Sequence, residues 1–317
     1  MSDVARGQIN FLDGATESSL YRNSKVLIRR DLDGSDSGVV GVVTDSKEIE
    51  VHDARGAGKT CLANGFELLD APLTGDLDFF NHASVVQSYY PDCEALVEQS
   101  TGGRAFAFDH NIRSATGKAE QQQIVGGQTV QGPAKMVHGD YTLTSAPQRL
   151  RDLTLPPKAN DTYRTNLPEG EVLISPSLAE QALSGDGRFA IINVWRNIDE
   201  LPVARNPMAM CDAATVSPED LVVFEIHYSD RIGENYFSKY SEQQRFYYFP
   251  DMTRDEPMLL KQWDSYGALA KSAGRLGDDS KTEEACTFSF HTAFEPPDTQ
   301  NDAPDRWSIE VRCMVIY

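Results

Sequence analysis

Six histidines stand in the chain, at positions 52, 82, 110, 138, 227 and 291, and only His138 is followed two residues on by an acid. On an extended strand, residues i and i+2 face the same side. His138-Gly139-Asp140 would therefore present an imidazole and a carboxylate together, with Gly139 keeping the opposite face small. Two histidines and one carboxylate hold iron(II) while leaving positions open for oxygen and substrates. The second imidazole must come from far along the chain, on a strand laid beside the first; His227 and His291 are the downstream candidates. His291 is the better placed, since it follows the apolar run Thr287–Phe290 and precedes Arg306-Trp307-Ser308. A guanidinium beside a hydroxyl makes a charge-assisted clamp for the far carboxylate of a dicarboxylate co-substrate. No comparable Arg-x-Ser follows His227.

Alternation from Arg306 onward puts Arg306, Ser308, Glu310 and Arg312 on one strand face. That leaves two other arrangements open: Arg306 paired with Glu310, or Arg312 as the carboxylate clamp with Arg306 at the surface. Arg196 ends the apolar run Ile191–Trp195, where an unpaired charge is costly. It either lines the cavity and binds an anionic substrate or co-substrate, or pairs with Asp212 or Glu225. Tyr141 and Trp195, with Tyr247 and Tyr248, are candidate substrate-pocket residues, although aromatic residues at such positions are more often plain core.

The elements that must position these groups are mainly strands. Lys25–Arg29, Gly38–Val43, Ile49–Asp53, Ala105–Phe108, Lys135–Thr144, Phe189–Trp195, Leu221–Tyr228, Gln244–Phe249, Met258–Trp263, Thr287–His291 and Ser308–Ile316 all read as strands. Residues 33–38 read as a loop between the first two. Asp76–Gln99, broken at Pro91, together with Ser145–Arg151 and Ser177–Leu183, read as helices. Residues 114–134 read as a flexible polar loop, and 155–172 as a Pro/Asn/Thr-rich connection; 114–134 and 229–243 are candidate lids over a substrate. Many short strands with few helices predict a sandwich or barrel with helical support.

The chain has 317 residues, with 29 Lys plus Arg against 48 Asp plus Glu, a net charge of −19. That balance argues against nucleic acid and anionic membranes as partners. Five scattered cysteines without CxxC spacing fit reduced thiols in a cytoplasmic protein. The first residues hold no apolar run of signal-peptide length.

The motifs also resemble a known family. Ile49-Glu-Val-His-Asp-Ala-Arg-Gly56, His138-Gly-Asp-Tyr-Thr142, Asn193-Val-Trp-Arg196, Pro207–Ala213, Tyr247–Met252, His291-Thr-Ala-Phe294 and Arg306-Trp-Ser-Ile-Glu-Val-Arg312 are similar to those of the AsaB-like hydroxylase/desaturases of secondary metabolism. That family includes a cephamycin methoxylation component and a gibberellin desaturase. The resemblance implies a mostly β fold with supporting helices around a double-stranded β-helix (jelly-roll, cupin-like) core. It also implies Fe(II), with 2-oxoglutarate and O2 as co-substrates. Carried over by position, the metal ligands are His138, Asp140 and His291, and the clamp is Arg306 with Ser308. The expectation is a single catalytic domain over 1–317, with 1–134 supporting a jelly-roll core at 135–317. It would hydroxylate, desaturate or cyclise a small molecule. Two other functions stay open: an iron oxidase of the same fold that does not use 2-oxoglutarate, and a non-catalytic small-molecule binding jelly roll.

Overall fold

The computed structural model describes residues 4–30, 36–75, 77–158, 161–228, 231–278, 285–296, 299–300 and 302–317. In chain order the first strands are β1 (Val4–Leu12), β2 (Leu27–Arg30), β3 (Asp36–Val40), β4 (Thr44–Asp53), β5 (Phe66–Leu68), β6 (Arg104–Arg113) and β7 (His138–Gly139). Then come β8 (Phe189–Asn197), β9 (Met208–Cys211), β10 (Leu221–His227), β11 (Ile232–Ser238), β12 (Phe246–Tyr248), β13 (Met258–Asp264), β14 (His291–Ala293) and β15 (Ser308–Ile316).

These strands form two sheets. The larger runs β1-β4-β12-β9-β14-β7-β11-β10-β2-β3 and the smaller β5-β13-β8-β15-β6. Pairing is antiparallel except at β10–β2 and β12–β4. Strands β1 to β6 all come from the first 134 residues and enter both sheets, so this stretch is woven into the sheets themselves. No helix among the described residues is long and apolar enough to cross a membrane.

Strands β8 and β13 are buried at every position, as their nearly continuous apolar sequence requires when both faces are covered. One face of β8 looks across to the larger sheet, where Asn193 meets Asp140. The other looks toward the long helical segment, where Arg196 meets Tyr89.

That helical segment runs His82–Ser84, Val85–Tyr89 and Tyr90–Thr101, and Pro91 does not break it. The proline lies at the start of the Tyr90–Thr101 helix, behind a π-helical turn in which the Tyr90 amide donates to the Val85 carbonyl. A π turn of this kind accommodates a residue that has no N–H to give.

Some strands fall elsewhere than the sequence predicts. The expected strand over 135–144 shrinks to two residues, and the one expected over 287–291 begins only at its last residue. Residues 114–134 carry a short helix, Ala115–Ala119, and bury Ile124 and Val130. The expected loop over 33–38, the start of the expected helix at position 76 and the first two residues of the 229–243 lid lie wholly or partly outside the described residues.

Candidate metal centre and co-substrate chamber

Strands β7 and β14 lie side by side, and their register sets His291 directly against His138. The two imidazoles stand with ring centroids 4.2 Å apart. Asp140 follows β7 immediately, and its Oδ1 is 3.7 Å from His138 Nε2. One ligand atom from each of His138, Asp140 and His291 can be chosen so that all lie within 4.8 Å of one another. Gly139 sits between two of them with its α-carbon facing the core: a Cβ there would lie 3.0 Å from two ring carbons of Phe288.

The donor chemistry fits a divalent cation. His138 Nδ1 is 2.8 Å from the Met136 carbonyl, which can only accept, so Nδ1 carries the proton and Nε2 keeps its lone pair. Burial, reinforced by the neighbouring His291, pushes His138 down to about 4. Burial likewise lowers His291, against the pull of Asp140. Both rings are therefore neutral near pH 7, the form that binds metal. Burial opposes the charge of Asp140, yet Arg312 and the two imidazoles together hold its carboxyl well below the usual range. Its Oδ2 accepts from Asn193 Nδ2 at 3.3 Å and from Arg312 Nε at 3.4 Å, while its amide donates to Gln262 Oε1. With Oδ2 held, Oδ1 is the oxygen left to face the imidazoles.

Two spaces meet at this cluster. A small inner chamber is lined by Arg113, His138, Asp140, His291, Arg306 and Glu310, among others. A wide outer cleft of about 1670 Å³ runs past His82, Phe108, His110, Tyr141, Arg149 and Arg312. Arg113, His138 and Asp140 line both.

Arg306 is 3% exposed and has no carboxylate within ion-pair distance among the described residues. Its Nη1 donates to the Asn206 carbonyl, its Nε has no partner among the described residues, and its guanidinium carbon lies 5.6 Å from the Trp195 ring centroid. Burial and the repulsion of Arg113 push its pKa down to about 10. Ser308 Oγ, also buried, has no partner among the described residues either. A buried cation without an anionic partner and a buried hydroxyl without a partner are costly unless an anion completes them.

The other candidates fall differently. Arg312 is already engaged by carboxylates, at 3.0 Å from Asp109, 3.4 Å from Asp140 and 3.6 Å from Glu310, so it orients Asp140 and is not a free clamp. The arrangement pairing Arg306 with Glu310 is not found; Glu310 accepts from Asn193 and lies near Arg312. Arg196 does not reach the cavity. It donates to Tyr89 Oη at 2.9 Å and to the carbonyls of Ala71 and Arg254, on the helix side of β8. Nor does it pair with Asp212 or Glu225, which are taken by Lys59 and His227. Trp195 is wholly buried and serves as a platform for Arg306, away from both spaces. Tyr141 does line the outer cleft. Arg113 and Gln262 belong to the site but went unmarked in the sequence; Asn193, which opens the Asn193-Val-Trp-Arg196 motif, was given no role, although it lies on the same side of β8 as Trp195.

The chain matches a family described as an oxidoreductase/YMDC permease-like domain over residues 10–316. It is 42% identical over 201 residues to a Methylophilus leisingeri protein described as "Uncharacterized protein in dcmA 3'region", a match covering 63% of this chain and 93% of the relative. It is 28% identical over 280 residues to the alpha-ketoglutarate-dependent dioxygenase phiK of a fungal species, covering 86% of this chain and 85% of that one. Among solved structures, the iron and alpha-ketoglutarate-dependent endoperoxidase NvfI superposes with a TM-score of 0.75 at 21% identity, covering 100% of this chain and 99% of that chain. This likeness bears out the mostly β, jelly-roll fold.

Proposed function

The chain belongs to the oxidoreductase/YMDC permease-like domain family, and we propose that it is an iron(II)- and 2-oxoglutarate-dependent oxygenase acting on a small molecule. The observation that carries this reading is the pairing of a His-Asp-His cluster with a buried, carboxylate-free Arg306 in one chamber. The names of phiK and NvfI, both dependent on alpha-ketoglutarate, support it. His138, Asp140 and His291 would hold the iron. Arg306 and Ser308 would take the distal carboxylate of 2-oxoglutarate; the bound iron would supply the chemistry by which O2 oxidises an unactivated C–H bond while the 2-oxo acid gives up two electrons and leaves as succinate and carbon dioxide.

The remaining work falls to the protein. Arg312 and Asn193 fix Asp140 in one orientation, and the Met136 carbonyl fixes the His138 tautomer. The substrate enters by the outer cleft, where Tyr141, Phe108 and the stacked pair His82 and His110 offer a flat, partly apolar wall. The five free, buried cysteines fit a cytoplasmic location.

The test is product analysis. Aerobic incubation with Fe(II) and 2-oxoglutarate, assayed by mass spectrometry, should give succinate, and His291→Ala should abolish it. An iron oxidase that draws its electrons from substrate alone would release none, and neither would a binding protein.

A further inference from the structure

We propose that Arg113 is a second anchor for the co-substrate, holding the 2-oxo acid end near the metal while Arg306 holds the far carboxylate; this rests on the reading above. Of the inner chamber's lining, only Arg113, His138 and Asp140 also border the outer cleft, so Arg113 stands in the doorway with two of the ligands. Arg306 lines the inner chamber alone. Arg113 closes β6, where its register partner is Ser308 at the start of β15. Arg306 lies two residues ahead of β15, so the two arginines enter one chamber from adjoining segments.

Arg113 has no carboxylate within ion-pair distance among the described residues. Its side chain makes one hydrogen bond there, from Nη1 to the Gly132 carbonyl at 2.9 Å. The rest of its donor fork is free to meet an anion. Its charge repels that of Arg306. Two like charges sharing a desolvated chamber repel each other, and an anion lying between them removes that cost.

Charge counting gives the same answer. Asp109 offsets Arg312. With iron(II) bound, Asp140 and Glu310 offset part of the positive charge of the metal, Arg113 and Arg306, and two positive charges remain. A dicarboxylate neutralises both. A monoanion would leave one buried and unmatched.

The experiment is calorimetric titration of the Mn(II)-loaded protein with 2-oxoglutarate and, separately, with 2-oxobutanoate, which has the oxo acid end but no distal carboxylate. Arg113→Gln should weaken both acids by about tenfold or more, the range of a lost charged hydrogen bond. Arg306→Gln should weaken 2-oxoglutarate and leave 2-oxobutanoate within about twofold. Arg113→Lys, which keeps the charge and the chamber's balance, should recover part of the lost affinity for both acids. Binding of both acids unchanged in Arg113→Gln would overturn the inference alone. So would a loss confined to 2-oxoglutarate. Wild-type protein that binds neither acid would overturn the underlying reading as well.

Discussion

At the scale of single residues, the site works by dividing labour among groups of like charge. Arg312 spends its guanidinium on Asp109, Asp140 and Glu310, whereas Arg306 spends its own on a backbone carbonyl and an aromatic face. The first arrangement orients a ligand and the second awaits an anion. Neutral histidines complete the environment. Burial pushes His110 down to about 4, and its Nδ1 lies 2.9 Å from Tyr90 Oη. Because this folded value lies below the ordinary 6.5, the unfolded chain takes up the proton first as pH falls. The stability His110 contributes is whole above pH 6.5 and drains away as pH falls toward 4. Thermal melts of His110→Gln should therefore fall less steeply with pH across that window than wild type; parallel slopes would show that His110 is not buried neutral. His138 and Asp140 were legible from spacing because the i, i+2 rule needs no tertiary information. Arg113 was not, since the sequence predicts the β6 strand to end before it.

Elements set which of these residues meet. Arg306 lies six positions before Arg312 and two residues ahead of β15, roughly 20 Å along an extended chain at about 3.3 Å per residue, so the two do not stand side by side. The alternation was readable, but the side on which each end of the strand opens was not. Arg196 misled for a related reason. It lies one residue beyond Trp195, and a one-residue step on a strand flips the side chain to the other face. Asn193 looks at Asp140 and Arg196 looks at Tyr89. An apolar strand covered on both sides gives no sequence cue as to which face holds the cavity. The two-residue strand β7 shows the opposite case, where little regular structure suffices because β11 and β14 clasp it on either side. Gly139 is what lets it pack so closely. Gly139→Ala should cost about 1–3 kcal/mol in urea unfolding, the usual range for overpacking a well-filled core. It should also weaken metal binding, because the displaced residue lies between two ligands. A variant as stable as wild type would mean that Phe288 yields freely and that close packing is not what fixes β7.

Over the whole molecule, the two sheets share the task. The larger carries the imidazoles on β7 and β14, with Asp140 just beyond β7. The smaller supplies Asn193, Gln262, Glu310 and Arg312 from β8, β13 and β15 to hold the carboxylate and close the chamber. The site exists only where the sheets face each other, between strands from distant parts of the chain. From strand density only a sandwich or barrel was legible, and the jelly-roll class follows from the family resemblance; the three candidate ligands were legible from residue types and order. The depth of the chamber and its two arginines were not, because they depend on how far apart the sheets stand. The proposed function requires this junction to bind iron(II) and a 2-oxo acid together. Its most direct measurement is the visible absorption of the protein under anaerobic conditions, on adding Fe(II) and then 2-oxoglutarate. A charge-transfer band should grow only when both are present, and it should be absent in His138→Ala. No band in wild type, or an undiminished band in His138→Ala, would contradict the account.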